Sequence, residues 1–582
     1  MIDSKTSWPG GRWTPGVERY GVVQVDHVPV VMPDGIKLDA TIAYPADPNT
    51  SQRTAGRFPV IVSHTPYNDQ PNTFFTRHGY IVANVRVRGT GRSEGVIDFM
   101  GPKERADGPP VIDWAAKLDG SDGRVGMYGC SYEGGQQWGA ASMVSPNSPL
   151  KAIIPACIGL DRFLRDSFLS NGVPQPVIPG MLQIALMTGN QPGTVEHFKF
   201  MQQSILNGGD LAYLRDFWND RLPISAAQKI VNNGIAVLMW ISSTEDAETF
   251  RSYSALQNAA LDRPLLAPMY EGQPASGRYQ IIAGNWTHGG GLDPLLMLAW
   301  YDTFVKGEET GINKIMRPMH LQEAGSGRWF NTAVYPLVST YQSFFIGANG
   351  ALHKRPPQTA TQMLSLTEPD QPKGSLAYIS APFGDGATLA GPISATIHAS
   401  SNNTNLLLIL RLYDVAPDGT ETEITNGVTL GSQREIDPVN SWRDKTGVIT
   451  RPYFMLTHDN LLTPHQPYEL NVDLHTRISS IAPGHRLKLT LTTKATEADK
   501  KVSLGRLPSV YTEPQQQTLP GGEYTILTGV NTPSAVHLPL LPYGSFPTAA
   551  SGRTPYAINP RAGTTTTSDG PVLPFDWGEH DR

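Results

Sequence analysis

The sequence contains little cysteine and no long apolar run. Only two cysteines, Cys130 and Cys157, occur in 582 residues. They cannot build a disulfide framework, and no Cys/His spacing indicates structural zinc. No run of about 18 apolar residues occurs, so we expect no membrane-spanning helix. The first residues also lack a basic stretch followed by an apolar run, so we expect no signal peptide and a cytoplasmic location.

Basic blocks are absent as well. The formal net charge is −6, which gives no reason to expect nucleic acid as a partner. We predict no metal and no cofactor, and whether the chain forms a homo-oligomer is left open. What the chain does have is glycine (57 residues) and proline (49 residues). Their abundance indicates many turns and a large β component.

A chain of this length is too long for one core and should hold two or three domains. Near-continuous apolar strands alternate with helices at first, which is typical of a parallel sheet covered on both faces. Helical periodicities interrupted by Pro and Gly follow, and from about residue 336 strand-like segments alternate with turns. We therefore predict an α/β class protein with four segments: a first α/β segment (1–144), a helical cap (145–234), a second α/β segment that completes the same domain (235–335) and a jelly-roll β-sandwich (336–582).

The stretch DGRVGMYGCSYEGGQQWGAA, residues 122–141, holds the strongest catalytic signal. A short apolar strand leads into the turn Gly129-Cys130-Ser131-Tyr132, and a helix-compatible run follows. A serine at such a corner has its hydroxyl exposed, as a nucleophile requires, and glycines flank it because the turn is crowded. The motif is Gly-x-Ser-x-x-Gly. Glu133 stands where the more common Gly-x-Ser-x-Gly motif, the nucleophile elbow, has its second glycine. Ser131 is therefore the predicted nucleophile, against the alternative of a plain turn serine.

Serine needs a base, and the base needs a carboxylate to orient it. In doubly wound hydrolases these groups follow in the order Ser, Asp/Glu, His, each at the carboxyl end of a strand. Here Glu245 or Asp246 follows one buried strand, and His288 follows the next. We favour Asp246 as the acid and keep Glu245 as the alternative, because the register of the preceding strand is uncertain by one residue. His288 is the predicted base.

Several segments together resemble the cocaine-esterase and X-Pro dipeptidyl-peptidase-like serine hydrolases. They are HTPY (64–67), NVRVRGTGRSEG (84–95), DGRVGMYGCSYEG (122–134), NWTHG (285–289), LAGPISATIHASS (389–401), LRLYDVAPDG (410–419) and PGHRLKLTL (483–491). The resemblance implies an α/β-hydrolase fold with a helical cap and a carboxy-terminal jelly roll. It also implies two oxyanion donors, the hydroxyl of Tyr67 and the N–H of Tyr132. The family's Gly-Gly-Trp-Tyr/Phe-Asp at the acid is replaced by Ser242-Ser243-Thr244-Glu245-Asp246. An ungapped alignment places Glu245 at the acid, and a shift of one residue places Asp246 there.

The sequence indicates the type of reaction more narrowly than the class of substrate. The resemblance implies a small-molecule ester or amide, and we predict a serine esterase that forms an acyl-enzyme. The Ser-Tyr-Glu-Gly form also resembles the α-amino-ester hydrolases, in which carboxylates hold the substrate ammonium, and Asp166 and Glu248 are candidates for that role. An X-Pro dipeptidyl-peptidase-like or α-amino-acid amide activity is the alternative. The non-enzymatic alternative is a decayed hydrolase that only binds a partner.

Overall fold

A ten-stranded sheet organises the first half of the chain in the computed structural model of the protein. The structure describes residues 16–161, 163–174, 188–189, 191–243, 247–367, 374–493 and 522–546. The strands of this half, including the small β7–β8 hairpin outside the sheet, are β1 (Gly21–Val31), β2 (Lys37–Ala46), β3 (Phe58–Thr65), β4 (Ile81–Arg86), β5 (Ser121–Cys130), β6 (Leu150–Ala156), β7 (Leu169–Ser170), β8 (Val173–Pro174), β9 (Ala236–Ser242), β10 (Tyr279–Gly284), β11 (Met319–Gln322) and β12 (Trp329–Thr332).

The strand order is β1-β2-β4-β3-β5-β6-β9-β10-β11-β12. Neighbours from β4 through β11 pair in parallel, while β1, β2 and β12 add antiparallel edges. The chain runs from β3 to β4 on one side and then to β5 on the other side of β3. Strand order therefore reverses at β3, and doubly wound sheets bind ligands beyond the carboxyl ends of the strands at such a point.

Helices cover both faces of the sheet. One face packs against α2, α3 and α8, and the other packs against α1 and α9. None of the helices among the described residues is long and apolar enough to cross a membrane. The helices are α1 (Thr73–Arg77), α2 (Pro102–Ala116), α3 (Tyr132–Met143), α4 (Phe163–Phe168), α5 (Pro192–Leu206), α6 (Asp216–Asn219), α7 (Ala226–Asn232), α8 (Phe250–Ala259) and α9 (Pro294–Tyr301).

The segment between β6 and β9 contains helices α4 to α7. An aromatic cluster joins it to the α/β domain: Phe99 lies 5.5 Å from Phe168 and 5.7 Å from Phe198, ring centre to ring centre. Phe168 in turn stacks on Trp218. The predicted helical periodicity at 181–187 lies outside the described residues. The described helices fit the predicted cap, and the domain limits at 144, 234 and 335 stay predictions.

The second half of the chain is β-rich. An eleven-stranded sheet and smaller sheets enclose a separate apolar core. The strands are β13 (Gln342–Ile346), β14 (Ala351–His353), β15 (Gln362–Leu366), β16 (Leu376–Ser380), β17 (Ala387–Gly391), β18 (Ser394–Ser401), β19 (Leu407–Val415), β20 (Glu421–Leu430), β21 (Trp442–Arg443), β22 (Ile449–Arg451), β23 (Tyr468–Asp473), β24 (Arg477–Ile481), β25 (Arg486–Thr492), β26 (Tyr524–Thr528), β27 (Ala535–Leu538) and β28 (Leu540–Pro542). The predicted fold class, an α/β domain followed by a β domain, is confirmed.

Candidate active site

Ser131 lies at the corner between β5 and α3. Its φ of 61° and ψ of −119° place a non-glycine residue in a strained backbone conformation. The N–H of Ser131 donates to the carbonyl of Ala156 on the neighbouring strand (3.0 Å), and α3 begins at Tyr132. The turn is therefore sharp and is fixed by a hydrogen bond to β6, as the sequence predicted for a nucleophile elbow.

The flanking glycines are required by crowding, also as predicted. Gly129 has a φ of 141° and lies against the side chain of Glu133. A Cβ atom on Gly134 would come within 2.6 Å of the Ala156 carbonyl oxygen. Both contacts are too close for any larger residue, so these two glycines allow the helix to start directly behind the serine.

Tyr67 follows β3 and reaches the same corner. The N–H of Tyr132 donates to the Tyr67 hydroxyl oxygen, and the Tyr67 and Ser131 hydroxyls are hydrogen-bonded to one another. Burial raises the pKa of the Tyr67 phenol, although these hydrogen bonds oppose the shift. The phenol therefore keeps its proton at neutral pH and remains a donor. Three of the predicted site residues are thus brought together at the point where the strand order reverses.

Glu104 of α2 supports Tyr132 from the other side. The Tyr132 hydroxyl donates to a Glu104 carboxylate oxygen (2.9 Å), and the Gln136 amide donates to the same oxygen (2.6 Å). Burial raises the pKa of Glu104 to about 7, opposed by hydrogen bonds from the N–H groups of Asp98 and Met100. These contacts fix the first turn of α3, so the Tyr132 N–H has a fixed direction. The sequence analysis did not identify Glu104, because 28 residues separate it from Tyr132.

His288 lies in the loop after β10, beside the residue that precedes the nucleophile. One of its ring nitrogens is within 4.8 Å of the sulfur atoms of Cys130 and Cys157. The adjacent glycines also make room for Trp286, whose ring packs against Gly291. The strand-end placement that predicted His288 therefore brings it to the same edge of the sheet as Ser131.

Cys130 and Cys157 form a disulfide with a Cα–Cα distance of 5.3 Å. The two cysteines do not form a framework, as predicted, but they make one bridge between the ends of β5 and β6, next to Ser131. The bridge joins two residues that are 27 positions apart in the sequence. Only the parallel pairing of β5 with β6, which aligns Cys130 with Ala156, could have predicted it.

The acid candidates Glu245 and Asp246 lie outside the described residues, which resume at Ala247. The residues just before them join the loop that carries His288. The Ser242 hydroxyl donates to the Trp286 carbonyl (2.6 Å), and the Ser243 N–H donates to the Gly284 carbonyl (2.8 Å). The end of β9 is thus tied to the His288 loop, which is where an orienting carboxylate is needed.

Glu248, a candidate ammonium anchor, is already paired. It forms an ion pair with Arg451 of the β domain and lies 3.9 Å from Arg251. Burial alone would raise the pKa of Glu248, yet the charge of Arg451 holds it well below its usual value. Arg251 also pairs with Asp161, and the charge of Asp166, the second candidate anchor, acts on Arg251. Both candidate carboxylates therefore lie in a network that already contains two guanidinium groups.

Two protein-family models match the chain, one in each half. Residues 34–290 match the family model described as X-Pro dipeptidyl-peptidase (S15 family), and residues 308–537 match the X-Pro dipeptidyl-peptidase C-terminal non-catalytic domain. Cocaine esterase from Rhodococcus sp. (strain MB1 Bresler) is 22% identical, over 79% of this chain and 89% of that protein.

Two solved structures show the same fold along almost the whole chain. A CocE/NonD family hydrolase from Staphylococcus aureus superposes with a TM-score of 0.71 at 18% identity, covering 89% of this chain and 94% of the other. An α-amino acid ester hydrolase superposes with a TM-score of 0.67 at 17% identity, covering 93% and 100%. With both domain models matched in order, this chain belongs to the cocaine-esterase and X-Pro dipeptidyl-peptidase-like family of hydrolases.

Proposed function

We propose that this protein hydrolyses a carboxylic ester of a small molecule through Ser131, His288 and Asp246. The observation that carries the proposal is the hydrogen-bonded cluster of Ser131, Tyr67 and the Tyr132 N–H at the elbow. A strained serine beside two fixed donors suits acyl transfer, because negative charge develops on the carbonyl oxygen as the serine attacks.

The mechanism has two steps. His288 takes the proton of Ser131 as the oxygen attacks the ester carbonyl, and the carbonyl oxygen takes hydrogen bonds from Tyr67 and the Tyr132 N–H. The protonated His288 then gives its proton to the leaving alcohol, which leaves an acyl group on Ser131. Water, deprotonated by His288, attacks this acyl-enzyme, and the carboxylic acid departs as Ser131 recovers its proton.

The acid is tested by comparing two conservative variants. D246N should lower kcat for an activated ester by about 10⁴-fold, since an orienting carboxylate lost to an amide leaves the imidazole in the wrong tautomer. E245Q should change kcat by less than about threefold, because a carboxylate that does not orient the imidazole has only a modest effect on the reaction. Steady-state kinetics with p-nitrophenyl butyrate measures both, and a larger loss in E245Q would transfer the role to Glu245.

The substrate proposal favours esters without a free amino group. An ammonium ion needs an uncompensated carboxylate, and Glu248 is engaged by Arg451 and Arg251. Cocaine esterase and an α-amino acid ester hydrolase are both similar to this chain, so the two substrate classes must be separated by experiment.

A matched substrate panel makes this separation. We expect the methyl esters of phenylacetate and phenylglycine, which differ by one amino group, to have kcat/KM values within about threefold of each other. Glycyl-prolyl p-nitroanilide should be a poorer substrate than p-nitrophenyl butyrate. A preference above about tenfold for the amino ester would indicate an ammonium site, and efficient cleavage of the anilide would indicate a dipeptidyl-peptidase-type activity. No turnover together with no labelling by a fluorophosphonate probe would favour the binding protein.

The remaining interpretations stay proposals. A small-molecule substrate without nucleic acid or membrane partners fits the site, and the oligomeric state is open. The sequence predicts a cytoplasmic location, but the Cys130–Cys157 bridge is more typical of oxidising compartments, because disulfides are rare in the reduced cytosol.

A further inference from the structure

A buried acid and a half-buried acid meet directly behind the nucleophile elbow. Glu133, only 2% exposed, lies in the first turn of α3, and Asp69 lies in the loop after β3. Their carboxyl groups are hydrogen-bonded to each other. Two ionised carboxylates this close repel each other, which favours one proton shared between them.

The remaining contacts of Glu133 hold it in place. The Ser63 hydroxyl on β3 donates to one Glu133 oxygen (2.9 Å), and the Cys130 N–H donates to the other (3.3 Å). Glu133 thus connects three elements of the elbow: the strand β3, the end of β5, and the helix that follows Ser131.

Asp69 fixes the loop that carries Tyr67. The Thr65 hydroxyl donates to an Asp69 oxygen (3.3 Å) and accepts a hydrogen bond from the Tyr67 N–H (3.1 Å). The Asn84 side chain donates to the Asp69 carbonyl (3.1 Å). Tyr67 therefore sits in the middle of a short loop whose end is bonded to Glu133.

We propose that Glu133 and Asp69 form a proton-sharing carboxyl pair that positions the Tyr67 oxyanion donor against the Ser131 elbow. They are positioning residues, since neither reaches the reacting atoms. The inference deepens the proposed esterase function and rests on it. It also gives a role to the one residue of the motif that departs from the commoner elbow.

The charge on the pair depends on pH. Burial and the charge of Asp69 raise the pKa of Glu133 to about 8, and burial also raises that of Asp69, opposed by the hydrogen bond with Glu133. Neighbouring elements present Arg86 (β4), whose charge favours ionised Asp69, and Tyr128 (β5), whose own pKa is raised by burial and by Glu133. Tyr67 also faces Glu133.

At neutral pH the pair therefore shares one proton, and the charge of Arg86 favours the negative charge on Asp69. When the pH rises through about 8, Glu133 loses that proton. Two adjacent carboxylates then repel each other, and the loop that carries Tyr67 separates from α3. Donor alignment at the oxyanion is lost, so kcat should fall while KM changes little.

The test measures kcat for p-nitrophenyl butyrate from about pH 6 to about pH 9.5 in wild type and in E133Q. Glutamine can donate to Asp69, accept from Ser63 and never ionise. We expect kcat of E133Q within about threefold of wild type near pH 7, and no alkaline fall above pH 8 where wild type falls about tenfold. E133A, which removes the hydrogen bond between Glu133 and Asp69, should lose about tenfold at every pH. An alkaline fall in E133Q identical to wild type would overturn the proposal.

E323Q is the matched control. Glu323 is also fully buried and accepts hydrogen bonds from two hydroxyls, those of Ser326 and Thr388, but it lies beyond β11. E323Q should keep the wild-type pH profile of kcat. If E323Q also lost the fall in kcat above pH 8, that fall would not be specific to Glu133. E104Q provides a second comparison at the elbow. If the fall in kcat at alkaline pH moved in E104Q but not in E133Q, the fall would be assigned to Glu104.

Infrared spectroscopy separates this inference from the proposed function. The carboxylic acid C=O band should disappear as wild type is titrated through about pH 8, and E133Q should lack that change. If wild type hydrolyses no ester but shows the band, the esterase proposal fails and the shared proton stands. If wild type is active but the band is absent, the pair fails and the esterase proposal stands.

Discussion

Replacing Ser131 with alanine should lower kcat for p-nitrophenyl butyrate by about 10⁴- to 10⁶-fold, the range seen when a serine hydrolase loses its nucleophile. No other hydroxyl at the corner can replace it, because Tyr67 is held as a donor and has a raised pKa. Alanine and serine have the same backbone restrictions at a φ of 61°, so S131A should remain folded. Labelling by a fluorophosphonate should disappear together with turnover.

Ser142 provides the control for this variant. It lies on the same helix, and its buried hydroxyl donates to the Gly139 carbonyl (2.8 Å), away from the elbow. S142A should retain wild-type kcat and full labelling. If S131A kept more than about a tenth of wild-type turnover, the assignment of the nucleophile would be wrong.

Local patterns in the sequence predicted most of the sheet. The buried runs at 58–62, 80–87, 235–241 and 279–283 correspond to β3, β4, β9 and β10, and the turn at Gly35 joins β1 to β2. Strands of a parallel sheet are apolar on both faces, so they stand out from the flanking polar loops. The candidate nucleophile Ser131 and the candidate base His288 could be proposed for the same reason, since both follow the ends of such strands.

Helix α2 was only partly predicted. In the sequence, the apolar periodicity indicates a helix only over 111–117, whereas α2 extends over Pro102–Ala116 and includes Pro109 and Pro110. Proline normally ends a helix, because it lacks an N–H and clashes with the preceding turn. Here tertiary packing prevails: a Cβ on Gly108 would lie 2.6 Å from the Cα of Ala140, so α2 is pressed closely against α3. Local propensity could not reveal that contact.

The supporting contacts of the site could not be predicted at all. Glu133 bonds to Asp69 across 64 positions, and Glu248 pairs with Arg451 across 203. Such pairs depend on how strands and domains are placed in space, and an acidic residue in a sequence is most often a solvated one. Motifs therefore predict the candidate reacting residues, whereas their contacts with distant residues are visible only in the structure.

Removing only the Tyr67 hydroxyl should lower kcat by about 10²- to 10³-fold, equivalent to about 3–4 kcal/mol of transition-state stabilisation. Phenylalanine keeps the ring packed against the core, where Tyr67 contacts the main apolar cluster, so Y67F should fold normally. KM should change by less than about threefold, because the hydroxyl is expected to bond the oxyanion more strongly than the ester carbonyl. Steady-state kinetics of Y67F on p-nitrophenyl butyrate measures both constants.

Tyr301 distinguishes an oxyanion donor from any buried phenol. Its hydroxyl donates to the Met127 carbonyl (2.7 Å) from α9, on the opposite face of the sheet from α3. Y301F also loses one hydrogen bond and should lower the free energy of unfolding by about 1 kcal/mol, yet it should leave kcat unchanged. Equal loss of kcat in Y67F and Y301F would contradict the role of Tyr67. A selective loss in Y67F means that the charge on the reacting oxygen is stabilised from the β3 loop, which is the loop that Asp69 and Glu133 hold.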